Sequence, residues 1–461
     1  MGIKAAYMVP HPPLIIPSVG KGEEKRIQKT IDAYEEIGQR ISAHRPESIV
    51  LISPHQTMYA DYFHISPGES AQGDFSEFRA GQEKIEVSYD REFVKKMCEL
   101  AGEKHLPAGT LGEKEKKLDH GTMVPLYFIN RYWKDYRLVR IGLSGLPLVS
   151  HYVLGQCIKE AAESLGRKAV LVASGDLSHC LKADGPYGFQ EEGPIYDRDI
   201  MEVMGKGKFL ELFDFSEEFC SRAGECGHRS FVILSGALDK MSVDPKRLSY
   251  EGPFGVGYGI CSYEVKGEDV SRNFREQYEE REQRKMAAIR EREDGFVRLA
   301  RDTIEEFVCT GRKIDVPEGL LEEMYSQRAG VFVSIKKQGK LRGCIGTIQG
   351  VCDSVAQEII ENAISAATRD PRFDPVEPEE LAYLTISVDV LGEVQGIASP
   401  QELDVKRYGV IVTKGGKRGL LLPNLEGVDT VEEQIAIAKQ KAGIPAEEDV
   451  LLERFEVIRH F

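Results

Sequence analysis

The chain has 461 residues, beyond the roughly 250–300 at which a single hydrophobic core stops growing, so a one-domain protein is excluded. Hydrophobic residues make up 41% and charged residues 29% of it, an ordinary globular balance that excludes a disordered or fibrous chain. A formal charge of −15 excludes broad attraction to nucleic acid or to an anionic membrane surface, since both need concentrated positive charge.

The opening MGIKAAYMVPHPP breaks too early for a signal-peptide core, and no apolar run reaches the ~20 residues that span a bilayer, so a cytoplasmic location is expected. Nine cysteines form no Cys-x-x-Cys pair, which fits reduced thiols rather than disulfides or structural zinc. IKAAYMV at 3–9 and SIVLIS at 48–53 are strand-like runs on either side of a Pro-rich turn and a helical pattern at 23–43, a βαβ unit. Strand-like runs at 137–143 and 168–173 alternate with helical stretches near 120–132 and 150–165, the rhythm of an open, mostly parallel α/β sheet flanked by helices. Apolar segments at 246–251 and 256–265 read as a closing hairpin, which ends a first domain at 1–265.

Residues 266–294 carry eight basic and nine acidic residues with no proline, and read as a charged helical linker whose signs cancel. An α+β domain at 295–461 follows, with helices at 295–310 and 316–326 and two strands about a Gln338-Gly339 turn. A helix near 352–368, a strand at 384–391, shorter strands at 408–413 and 419–422, and a terminal helix and strand complete it. KGGKRG at 414–419 lacks Walker spacing and a following helix, so a hairpin turn is preferred to a phosphate loop.

Loops at strand carboxyl ends are where α/β folds place chemistry, and His11, His55 and His179 each follow a strand assigned from apolar runs. Two imidazoles and one carboxylate bind Fe(II) facially with coordination positions left open. On spacing alone Asp119, Asp176 and Glu225 are all candidates for the acid. Cys226 and His228 lie within three residues of Glu225 and are alternative ligands, against the plain reading of Cys226 as a buried or adjacent thiol.

VPHPPLIIP at 9–17, SPHQ at 53–56, LDHGTMVPL at 118–126 and SGDLSH at 174–179 resemble the class III extradiol ring-cleavage dioxygenases, LigB-like and Memo-like, over about 1–265. The resemblance implies His11, His55 and Glu225 as metal ligands, His179 as acid/base and His120 in contact with oxygen. It implies Fe(II) as cofactor, with Zn(II) or Mn(II) as alternatives. Cys226 beside Glu225 is similar to the Memo group, which keeps the scaffold with a different ligand set and need not cleave rings.

LRGCIGT at 341–347, DPRFDPV at 370–376 and GLLLPNL at 419–425 resemble an AMMECR-like domain, and the whole chain is similar to the AmmeMemoRadiSam group that joins the two. Arg342, Arg369 and Arg372 are candidates for a cationic pocket with Cys344 nearby. Cys344 read plainly is a small hydrophobe in a glycine-flanked strand, and a Cys-His dyad is disfavoured because His460 is the domain's sole histidine. The expected function is Fe(II)-dependent oxidation of a small catechol-like or aminophenol-like aromatic. The alternatives are a metal-binding accessory to a radical-SAM partner, or a metal-dependent hydrolase or lyase. A homodimer is the expected assembly, as two-fold symmetry is the commonest among soluble oligomers.

Overall fold

A computed structural model describes residues 2–114, 117–425 and 427–461. The chain folds as two compact units, one up to Glu279 and one from Glu280 to Phe461, which divide within a charged helix at Phe274–Arg292. Ion pairs four residues apart, the half-buried Arg275–Glu279 and the exposed Arg284–Glu280, line that helix.

In the first unit β1 (Gly2–Val9), α1 (Gln28–His44) and β2 (Ser48–Ser53) form the expected βαβ unit. They are followed by α2 (His120–Ile129), β3 (Arg137–Gly142), α3 (Leu148–Ser164), β4 (Lys168–Ser174), α4 (His228–Ala237), β5 (Met241–Glu251) and β6 (Tyr258–Glu268). The sheet runs β3-β2-β4-β1-β6-β5. Its first four strands are parallel, and β5 and β6 add an antiparallel hairpin at one edge, so the sheet is mixed. Helices cover both faces, which is why the parallel strands read as continuous apolar runs. Ala6, Met8, Val50, Ile52 and Leu171 pack against Leu154 and Phe231 on one side. Tyr7, Ile49, Leu51 and Val172 pack against Ile37, Val124 and Phe128 on the other. An additional hairpin, Ser70–Phe75 with Ala80–Ser88, was not expected from the sequence.

The second unit contains α5 (Gly295–Thr310), β7 (Val331–Lys337), β8 (Lys340–Gly346), α6 (Val355–Thr368), β9 (Leu384–Leu391), β10 (Gln395–Ile397), β11 (Gly409–Lys414), β12 (Lys417–Leu421), α7 (Val431–Lys441), β13 (Leu451–Phe455) and β14 (Val457–His460). These strands form two four-stranded sheets, β8-β7-β9-β14 and β10-β13-β11-β12. Gln338 and Gly339, with φ of 51° and 79°, make the two-residue turn between β7 and β8. Gly415, at φ 57°, opens the turn expected in KGGKRG. The helix expected at 316–326 is only Glu322–Ser326, because Pro317 and Gly319 lie in the segment before it.

Candidate metal centre

Parallel strands β1, β2 and β4 finish on the same edge of the sheet, and this brings His11, His55 and the 174–179 segment together. His11 is buried, and its backbone N–H donates to Asp176 Oδ1 at 2.7 Å. Its Nδ1 lies 2.9 Å from Ser174 Oγ, whose hydroxyl donates to the Gly121 carbonyl at 2.7 Å. A serine hydroxyl has one hydrogen to give, so Ser174 accepts from His11 Nδ1–H. The lone pair of His11 is therefore on Nε2.

That Nε2 faces His55 Nε2 at 2.9 Å and Cys226 Sγ at 3.7 Å. The three ligand-type atoms lie within 4.8 Å of one another. Two nitrogens held tetrahedrally at about 2.0–2.1 Å from one ion are ~3.3 Å apart, so the spacing fits a shared cation. Two neutral imidazoles and a sulfur suit Fe(II), Zn(II) and other borderline divalent ions. Burial, with the Asp176 and Glu225 carboxyls beside it, pushes the Cys226 thiol up; a bound cation would reverse that balance.

The Asp-His-Gly sequence at the start of α2 assembles one wall. Asp119 caps the helix by accepting from Thr122 N at 2.9 Å. It also accepts from Ser53 Oγ and Arg140 Nη2, both at 2.5 Å. Burial raises its carboxyl, but Arg140 and these hydrogen bonds outweigh that and hold it at about 2. Asp119 is thus a fully engaged structural acid. A Cβ on Gly121 would lie 2.5 Å from Ser53 Oγ and 3.2 Å from His55 Cδ2, so only glycine lets α2 approach β2 this closely. The His120 ring sits 4.0 Å from that of His55, and burial followed by His55 and His11 pushes it down to about 3, leaving it neutral.

Cys226 reaches the site through a backbone crossing. A Cβ on Gly175 would lie 2.1 Å from Gly227 Cα, so two glycines allow the loop after β4 to touch the loop before α4. Asp176 N–H then donates to Cys226 Sγ at 3.2 Å, and Cys226 N–H to Asp176 O at 3.4 Å. Asp176 is buried beside this group, its free oxygen 4.0 Å from His11 Nε2, and burial pushes its carboxyl up to about 6.

Glu225 points elsewhere. Its carboxylate accepts from His228 N–H at 2.5 Å and Tyr196 Oη at 3.5 Å, and lines a cavity of about 290 Å³ with Cys220, His228 and Arg229. Burial pushes it up to about 7. The geometry therefore puts Cys226, and not Glu225, with the two histidines. His228 Nε2 donates to Leu212 O at 3.0 Å, and its Nδ1, 3.4 Å from Tyr196 Oη, competes with Glu225 for that one hydroxyl hydrogen, so His228 belongs to this cavity and not to the two histidines. His179 lies on the same sheet edge, its ring stacked 5.0 Å from that of Tyr187, and its ring nitrogens have no hydrogen-bond partner among the described residues. Burial pushes it down, so it too is a neutral imidazole. Sequence reasoning missed Ser174, Tyr187 and Phe78, whose ring is 5.6 Å from His120. Of these only Ser174, inside SGDLSH, left a readable signal.

Residues 5–261 match the family described as the catalytic LigB subunit of aromatic ring-opening dioxygenase. The chain belongs to the LigB family. Behind its LigB domain, residues 297–460 match the AMMECR1 family, so the protein is a LigB–AMMECR1 fusion. A Clostridium acetobutylicum protein is 42% identical, spanning 100% of this chain and 99% of its own length. A Thermotoga maritima protein is 51% identical over 36% of this chain and 98% of itself. An uncharacterized Pyrococcus horikoshii crystal structure aligns with TM-score 0.34 at 35% identity, covering 37% of this chain and 90% of that one. An Escherichia coli one aligns with TM-score 0.38 at 15% identity, covering 56% and 99%. LigB membership associates the first unit with metal-dependent, dioxygenase-like chemistry. No helix among the described residues is long and apolar enough to cross a membrane.

In the AMMECR1 domain Arg342 braces the 374–380 segment, donating to Glu380 Oε2 at 2.8 Å and Asp374 O at 2.7 Å. Arg369 is exposed at the end of α6. Only Arg372, of the three expected arginines, reaches Cys344, donating to its carbonyl at 3.2 Å.

Proposed function

We propose that the LigB domain is a metal-dependent oxidoreductase that holds Fe(II) through His11, His55 and Cys226 and acts on a small catechol-like or aminophenol-like aromatic. The observation that carries this reading is the convergence of two histidine Nε2 atoms and one cysteine Sγ within 4.8 Å. A metal there would supply a Lewis-acid centre with open positions for a chelating substrate and for oxygen. His179, neutral and without a hydrogen-bond partner on its ring among the described residues, takes a phenolic proton from the bound substrate. His120, also neutral and beside both His55 and His11, donates a hydrogen bond toward negative charge that develops there. Phe78 and Tyr187 pack against these two rings.

A second reading is favoured by the sulfur in the ligand group. With a thiol where the facial triad has a carboxylate, the domain would be a metal-binding accessory that serves a radical-SAM partner and does not turn over oxygen. The test is metal content of the full chain after anaerobic reconstitution with Fe(II), Zn(II) or Mn(II), followed by oxygen uptake with catechol and 2-aminophenol. One iron per chain, lost in His55→Ala and Cys226→Ala but kept in Glu225→Gln, with oxygen uptake, supports the oxidoreductase. Iron bound in that pattern without oxygen uptake moves the accessory reading to the front. Equal binding by wild type and both ligand variants removes both readings.

A further inference from the structure

His179 has a fastened backbone and an unfastened ring. Its N–H donates to Gly224 O at 3.3 Å, which ties it to the loop that carries Cys226. Ser178, just before it, is held as well: its N–H donates to Asp197, its hydroxyl donates to Ala223 O at 2.7 Å and accepts from Cys180 N–H at 2.9 Å. The half-buried imidazole has no hydrogen bond to either ring nitrogen among the described residues. A catalytic base needs a third group to orient it, most often a carboxylate or carbonyl that hydrogen-bonds its second nitrogen. Here the ring lies instead against Tyr187, with 5.0 Å between centroids and 25° between planes.

The loop that carries Tyr187 presents the ring without burying it. Leu181 and Phe189 pair as an antiparallel bridge and Gln190 N–H donates to Cys180 O at 3.1 Å, which closes the base of the loop. At the tip Gly188 N–H donates to Gly185 O at 3.3 Å, closing a turn with Pro186 and Tyr187 at its centre. Proline in the second place and glycine in the fourth suit such a turn. The back of the loop is seated on the 252–255 turn, where Leu181 N–H donates to Gly255 O at 3.1 Å and Lys182 Nζ to Pro253 O at 2.8 Å. Gly255 has φ of 86° and a Cβ on it would lie 3.0 Å from Gly185 Cα, so glycine is what lets the two turns touch. Tyr187 is 64% exposed, so its place on the histidine comes from this backbone and not from apolar burial.

Resting on the oxidoreductase reading, we propose that Tyr187 is the positioning residue of His179, and that its stacked ring holds the imidazole plane so that a ring nitrogen faces the substrate. The stack restrains rotation about the Cβ–Cγ bond, because a turned imidazole would drive its edge into the tyrosine ring. Unlike an orienting hydrogen bond, it occupies neither nitrogen. One nitrogen takes the phenolic proton of the substrate while the proton on the other is free to pass to solvent, which returns His179 to its neutral form. Tyr187 acts through His179 alone in this role.

Tyr187→Ala, Tyr187→Leu and Tyr187→Phe in the full chain test this, and at an exposed position all three should keep the Tm of wild type. The first readout needs neither metal nor turnover: diethyl pyrocarbonate acylates neutral imidazole, and peptide mass spectrometry gives the rate at His179. A ring nitrogen bonds to one carbonyl carbon, the anhydride C–O bond breaks, and ethyl carbonate leaves with the ring proton and falls apart to ethanol and carbon dioxide. Freed of the stack, His179 should react roughly two- to tenfold faster in the alanine and leucine variants, the fold-change equivalent of one aromatic pair. Tyr187→Phe restores a ring and should stay near the wild-type rate. The second readout is oxygen uptake by the Fe(II)-loaded protein with catechol. There kcat should fall roughly tenfold or more in the alanine and leucine variants, a part of what a positioned base supplies, with KM little changed, and Tyr187→Phe should recover most of the loss. Wild type that takes up no oxygen overturns the oxidoreductase reading, and the acylation rates by themselves then decide whether Tyr187 holds His179. Equal acylation rates in all four proteins, a phenylalanine variant that behaves as the alanine one, or an active enzyme in which only KM moves overturns the proposal.

Discussion

Pro125 stands four residues after Gly121 in α2 and has no N–H, so the Gly121 carbonyl lacks its helical donor and accepts from Ser174 instead. A helix-breaking residue thus sets the histidine tautomer. Pro125 frees the carbonyl, the carbonyl takes the Ser174 hydrogen, and Ser174 accepts from His11 Nδ1, which turns the Nε2 lone pair toward His55 and Cys226. Pro125→Ala restores a donor that competes for the carbonyl. The expected outcome is unchanged or raised Tm, since an interior proline costs a helix about 3 kcal/mol, together with weaker metal binding by chelator competition. A simultaneous loss of Tm and metal would show that Pro125 acts only by packing.

Ser174→Ala removes the same link without touching a proposed ligand. Partners of ligating histidines typically contribute about 10–100-fold to metal affinity, and a loss of that order is expected here. Ser174→Thr keeps the hydroxyl and should retain more of the affinity than the alanine variant. Chelator competition on the three proteins decides it, and equal affinities would remove the tautomer argument.

The parts of the site legible in the sequence were those that end apolar strands. Val9, Ser53 and Ser174 close runs that are buried on both faces, and the histidines just beyond two of them were placed by that pattern alone. Cys226 was not ranked above Glu225, because the deciding contact is the crossing of Gly175 and Gly227, 52 positions apart, which leaves no periodic signal. The Ser70–Ser88 hairpin was missed because it holds no continuous apolar run of the kind that marked the other strands; its strands alternate buried and charged residues, as in KIEV, and expose one face. It carries Phe78 to His120, so part of the pocket wall was invisible with it.

Gly175→Ala tests whether that crossing seats Cys226. The added methyl would meet Gly227 Cα at 2.1 Å, and overpacking of this kind typically costs about 1–3 kcal/mol. Separation of the two loops should lower Tm and also reduce metal content to that of Cys226→Ala. A drop in Tm with full metal retained would show that Cys226 is held by other contacts.

Asp197 supplies a pH dependence away from the metal centre. It is buried on the helix Glu192–Lys206 and accepts from Ser178 N–H at 2.7 Å and Tyr250 Oη at 2.8 Å, tying that helix and β5 to the 174–179 segment through Ser178. Burial pushes its carboxyl up from 3.8 to about 7 despite those donors. The fold therefore favours the protonated form relative to the unfolded chain. Its contribution to stability is fully present below about 3.8 and is lost as pH rises through about 7. Asp197→Asn keeps the shape and cannot ionise. Thermal unfolding at pH 6 and pH 8 should show a larger fall in Tm for wild type than for the variant. Glu225, also raised by burial, adds its own slope to both proteins and cancels in that difference. Equal slopes in the two proteins would mean that Asp197 is ionised throughout this range and that Ser178 and Tyr250 stabilise its charge.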